Sequence, residues 1–87
     1  MPMLHGGLAK LAEECGEVVQ VVGKRLQYPL GDHPDGQGDL RARLEDEIAD
    51  AMAACEFVVE KQGMNSQRIR ERVARKLALF RAWDREP

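Results

Sequence analysis

Two short acidic blocks hold most of the chemistry this chain could perform. The first is Glu13-Glu14-Cys15-Gly16-Glu17, and the second is Glu45-Asp46-Glu47-Ile48-Ala49-Asp50. Within them Glu14 and Glu17 stand three residues apart, and so do Glu47 and Asp50. On a helix an i,i+3 pair shares one face. Two such pairs on facing helices would gather four carboxylates around one point. Like charges so placed repel and raise one another's pKa. A divalent cation relieves the repulsion, and an all-carboxylate oxygen set suits a hard ion, Mg²⁺ first and Mn²⁺ second. Mg²⁺ usually keeps some water and takes further oxygens from phosphates. The expected metal ligands are therefore Glu14, Glu17, Glu47 and Asp50, and the expected guest is a nucleoside triphosphate with its metal.

Other site chemistries find little support. A carboxylate-bridged di-iron bundle needs Glu-x-x-His on its helices. Here the two histidines, His5 and His33, fall outside the helical stretches, which argues against iron and zinc alike. No Ser-His-Asp or Cys-His set can be assembled, and there is no P-loop. Cys15 and Cys55 lack CxxC spacing and sit in apolar helical patterns, so they read as small core residues. The plain alternative for the acids is a solvated helix surface. Glu45 and Asp46 follow a helix start, where acids favour the macrodipole. Glu13 falls on the far side from the apolar stripe, as a surface acid or as a base beside the ligands.

The elements that must position these groups are three helices. After a short lead over residues 1–7, in which Gly6-Gly7 discourages an earlier start, the first helix is expected at about 8–27. Its stripe is Leu8, Leu11, Cys15, Val18, Val19, Val22 and Leu26. A loop over 28–39 is rich in Pro and Gly, with a turn at Pro34-Asp35-Gly36. Asp39 is the expected N-cap of a second helix at about 40–62, striped by Leu40, Leu44, Ile48, Ala51, Met52, Cys55, Val58 and Val59. Gly63 stops it. Asn65 or Ser66 caps a third helix at about 66–83, with Ile69, Val73, Leu77 and Phe80 facing inward. At about 100° per residue, each acid pair falls at the border of its stripe, displaced in the same sense. Val21 and Ala54 continue that border by one turn.

The totals agree with a helical globule. Eighty-seven residues make one small domain that is marginal alone, so self-association is expected. A net charge of −2 argues against a general nucleic-acid surface, which needs a basic excess. Charge is uneven, however: residues 68–85 carry seven Arg or Lys. No secretory signal and no apolar run of membrane-spanning length are present, so a cytoplasmic protein without membrane contact is expected.

Glu13-Glu14-x-x-Glu17 followed by Glu47-x-x-Asp50 resembles the EExxE…ExxD signature of MazG-type all-α nucleoside triphosphate pyrophosphohydrolases. The likeness covers roughly residues 8–60. The tail around Arg75-Lys76-Leu77-Ala78-Leu79-Phe80-Arg81-Ala82-Trp83 is similar to that of small, often phage-encoded members. The resemblance implies an all-α, three-helix chain assembling into a homodimer or homotetramer with a four-helix-bundle core. It implies Mg²⁺-dependent cleavage of an NTP or dNTP between the α and β phosphates, giving a monophosphate and pyrophosphate. Carried over by position, Glu14, Glu17, Glu47 and Asp50 would be the metal ligands. Many relatives have a full helix before this signature, whereas here only about seven residues precede it.

For the mechanism, Glu17 or Glu13 is the expected catalytic carboxylate, orienting or deprotonating the attacking water. Lys24 and Arg25, two turns past the acids, are the candidates for phosphate contact. Tyr28 and Trp83 are candidates for stacking on a base. Two rival classes compete: a non-catalytic helical dimerisation module, and a nucleotide-binding regulator that has lost turnover. Neither releases pyrophosphate, and only the second is stabilised by nucleotide.

Overall fold

The computed structural model describes residues 3–85. Met1 and Pro2 of the lead lie outside the described residues. A 3-10 turn at Leu4–Gly7 leads into α1 (Leu8–Gln27), followed by α2 (Leu40–Lys61) and α3 (Ser66–Trp83). There is no strand among the described residues, and the loop between α1 and α2 is pinched by one isolated bridge between Asp32 and Asp39.

Local chemistry sets the helix ends. Asp39 Oδ2 accepts from the Ala42 amide at 3.0 Å, and Asn65 Oδ1 accepts from the Arg68 amide at 3.0 Å. Each cap satisfies one of the amides that a helix start leaves without a partner. At the far end of α2, Gly63 adopts φ +59, and the Met64 amide turns back to the Val59 carbonyl at 3.0 Å.

The first two helices run antiparallel. Gln62, just past α2, donates from Nε2 to the His5 carbonyl before α1, and Lys24 near the end of α1 meets the loop that leads into α2. Gly7 makes the tightest crossing. A Cβ placed there would stand 2.7 Å from Phe57 Cδ1 and 3.1 Å from Val58 Cγ2, and its φ of +92 disfavours any side chain. From that point the α1 seam runs Leu11, Glu14, Val18, Val21, Arg25 and Tyr28. The α2 seam runs Leu40, Leu44, Glu47, Ala51, Ala54 and Val58. All are buried or half-buried, at alternating spacings of three and four.

That seam corrects the expected core. Val21, Leu40, Ala54 and Val58 are the buried hydrophobic residues. The broader stripes stay open: Leu8, Val19, Val22 and Leu26 on α1, and Ile48 and Met52 on α2, are exposed. Cys15 and Cys55 are exposed free thiols rather than core residues. Gly7 and Ala54, with Val21 beside them, admit close approach of the two backbones, and the contact lies off the middle of each apolar stripe, by about 90° on α1 and about 50° on α2, where Leu40, Leu44, Ala51 and Val58 belong to both. The stripes of both helices then share one side of the pair, where Val18, Ile48, Ala51, Met52 and Cys55 line a shallow groove.

The expected inward stripe of α3 is likewise not inward. Every residue of α3 is exposed, Ile69, Val73, Leu77 and Phe80 included. The turn around Gly63 carries α3 away from the α1–α2 pair, and none of its apolar residues is buried against that pair. The Cα trace spans 41 × 39 × 14 Å with a radius of gyration of 15.5 Å. A compact domain of this length has a radius near 12 Å. The chain is a flat layer, about one helix thick.

Candidate metal centre

The antiparallel seam brings the two acid pairs together. Glu14 and Glu47 lie within it, half-buried, while Asp50 stands at its rim. One carboxylate oxygen from each of Glu14, Glu47 and Asp50 falls within 4.8 Å of the others. Glu17 is one step removed from this trio and acts on it through Glu47, whose carboxyl it holds above its ordinary range. Glu13 is held apart: its Oε2 accepts from Lys10 Nζ at 3.0 Å on the solvent side of α1.

The electrostatics of the cluster follow from crowding. Burial holds the Glu14 carboxyl above its ordinary range, and the charges on Glu17 and Asp50 add to this. Glu47 is also raised, first by the hydrogen bond with Glu17, which favours a protonated Glu47, then by burial and the neighbouring charges. Glu14 Oε2 and Glu47 Oε2 are shut off from solvent without any donor to meet them. A buried oxygen without a donor is costly unless a proton or a cation takes that role.

A second constellation lies beside the first. Asp35, in the loop, accepts from Lys24 Nζ at 2.8 Å and from both terminal nitrogens of Arg43, at 3.1 and 3.2 Å. His33 Nδ1 stands 3.2 Å from the same carboxylate and accepts from the Asp35 amide, while Asp35 Oδ1 accepts from the Gln37 amide. The Lys24 hydrogen bond, the Gln37 amide and Arg43 hold the Asp35 carboxyl far below the usual carboxylate range. Lys24, expected to be available for phosphate, is thus engaged by the loop. Arg25 is half-buried toward the end of the seam. Tyr28 packs edge-on against His33 with ring centroids 4.9 Å apart, and Trp83 lies beside Phe80 at the far end of α3.

Arg43 is the residue that motif spacing overlooks. It precedes Glu47 by four residues and Asp50 by seven, so it shares their side of α2. Its partner Asp35 lies in a turn, where only the folded loop reveals the pairing. Comparison with protein-family models, with curated proteins and with solved structures gives no match. No helix among the described residues is long and apolar enough to cross a membrane.

Proposed function

We propose that this chain is a Mg²⁺-dependent nucleoside triphosphate pyrophosphohydrolase of the MazG type. One observation carries the proposal. Three carboxylates from two helices converge within 4.8 Å, and two of their oxygens are buried without a donor. An all-oxygen set with surplus negative charge fits a hard divalent ion better than zinc or iron. Glu14, Glu47 and Asp50 would hold it directly, with Glu17 at the edge. When bound, such an ion offsets negative charge on the phosphates and on the departing pyrophosphate.

The chain's own groups supply the rest. Glu17, beside Glu47, would orient the attacking water and take its proton. Glu13 has the weaker claim, since Lys10 holds it on the outer side. Lys24 shares the Glu17 side of α1 two turns on, and would have to exchange Asp35 for a phosphate oxygen. Arg25 is the second candidate for that contact. A homodimer or homotetramer with a four-helix core belongs to the same proposal, because the apolar side of α1–α2 is open.

The test is a panel of ribo- and deoxyribonucleoside triphosphates with Mg²⁺, scored for pyrophosphate and monophosphate, on the parent chain and on Glu47→Gln. The expected result is release from at least one triphosphate by the parent and none by the variant, with unchanged helix content. Equal turnover by both would remove the metal assignment. No turnover, but stabilisation by nucleotide with Mg²⁺, would favour the regulatory module instead.

A further inference from the structure

We infer that the loop between α1 and α2 is a self-occupied latch: Asp35 fills an anion seat built by Lys24 and Arg43, and a polyphosphate must displace it to reach either cation. The identity of that anion rests on the enzymatic proposal, but the seat itself does not.

Both helices contribute to the seat. Lys24 comes from α1 and reaches Asp35 Oδ2 at 2.8 Å, while Arg43 comes from α2 and meets Oδ1 and Oδ2 at 3.1 and 3.2 Å. A guanidinium presenting two N–H groups side by side fits a phosphate as well as a carboxylate. The side chains of Lys24 and Arg43 are only 24% and 19% exposed, so both are largely held in place before any outside anion arrives. Two full positive charges meet the one charge of Asp35, and His33 beside it adds no negative charge. A single carboxylate leaves one of those positive charges unmatched, and a multiply charged phosphate chain would use it.

The seat also lies in line with the carboxylate cluster. Arg43 is one helical turn ahead of Glu47, about 6 Å along α2, and Lys24 is two turns past Glu17, about 10 Å along α1. Because the helices are antiparallel, both distances run toward the loop. A metal at the cluster and the two cations at the seat would hold opposite ends of one di- or triphosphate chain.

The loop is free to leave. Of residues 29–39 none is buried, and only His33 is half-buried. Apart from the Asp32–Asp39 bridge and the Asp39 cap, its other described hydrogen bonds run within the segment 33–37: the Asp35 amide to His33 Nδ1, the Gln37 amide to Asp35 Oδ1 and the Gly36 amide to the His33 carbonyl. Gly31 and Gly38 bracket this segment at φ +80 and +98, with open space where a Cβ would stand. A segment with so few buried contacts opens at little cost, and its charged ties to the helices are Lys24 and Arg43.

The test measures binding of inorganic tripolyphosphate to the full chain in metal-free buffer, which keeps metal binding out of the readout. Asp35→Asn keeps an acceptor for the Gln37 amide and removes the charge, and Asp35→Ala removes the acceptor as well. The tighter of the two should bind roughly 5- to 150-fold more strongly than the parent, the usual range for coupling between two states. Asp32→Asn makes the same change of net charge in the same loop and should gain nothing. Adding Arg43→Gln or Lys24→Gln to Asp35→Ala should abolish the gain. Equal binding by the parent and both Asp35 variants overturns the latch. So does a gain that Asp32→Asn reproduces, or one that survives loss of both cations. These outcomes stand apart from turnover: the expected gain in a chain that cleaves no triphosphate would uphold the latch and remove the enzymatic reading.

Discussion

The α1–α2 pair and α3 are written in the same amphipathic language and end differently. Both regions have apolar residues at helical spacing, and α2 and α3 alike start on a side-chain cap, Asp39 and Asn65. In the pair, small residues allow the backbones to close and four hydrophobic side chains are buried. In α3 none is. Helical periodicity says that a face must be covered, but not by which molecule. The pair also hides charged groups in its seam, and α3 hides nothing. The acidic cluster and the chemistry proposed for it therefore sit where the chain packs on itself, and the apolar excess sits where it does not.

The sharpest way to break this contrast is at the acids. Glu17→Gln should lower the turnover number by about 10²- to 10⁴-fold, the range for loss of a general base, with unchanged circular dichroism. A substitution of equal chemical size in α3, such as Arg72→Gln, should leave turnover at saturating substrate nearly intact.

Next comes packing. Leu40 is fully buried, so Leu40→Ala should cost about 2–5 kcal/mol in denaturant unfolding. Leu77→Ala, read in dilute protein below the assembly concentration, should stay within about 0.5 kcal/mol, as for a surface change. Equal costs would mean that α3 has a partner within its own chain. Gly7→Ala is somewhat smaller in its expected effect. The added methyl meets Phe57 and is held at a positive φ, a penalty of about 1–3 kcal/mol. Asn65→Ala removes a cap and should cost about 1 kcal/mol, seen as fraying of α3 in amide exchange.

The smallest effect has a definite sign. Glu14 and Glu47 have raised folded pKa values, so the folded state holds more protons than the unfolded one above the ordinary carboxylate range. Stability then falls as pH rises through that window. Metal-free protein should melt higher near pH 5 than near pH 8, and Mg²⁺ should recover the loss at pH 8. A melting temperature that rises with pH, or is indifferent to Mg²⁺, would count against the centre.

What the sequence reveals here is what is local. The caps at Asp39 and Asn65 and the stop at Gly63 depend on groups within a few residues, and they are readable as such. The i,i+3 acid pairs are also local, and so is their shared displacement toward Val21 and Ala54. The seam itself is less legible. Leu11, Val18, Leu44 and Ala51 belong both to the stripe and to the contact, and only the crossing at Gly7 decides which edge closes. The isolation of α3 has no local signature. Its stripe looks the same whether it meets its own chain or another. The Asp35 cluster joins residues 24, 33, 35 and 43, which no periodicity links.

The two acidic centres respond to acid in opposite order. Glu14 and Glu47 take up protons early on acidification, while Asp35, gripped by Lys24 and Arg43, keeps its charge long after. Mild acid therefore discharges the cluster while the clasp on the connecting loop still holds. A cation held there as proposed would be released on mild acidification and bound again on neutralisation, with the frame that rebuilds the cluster left standing.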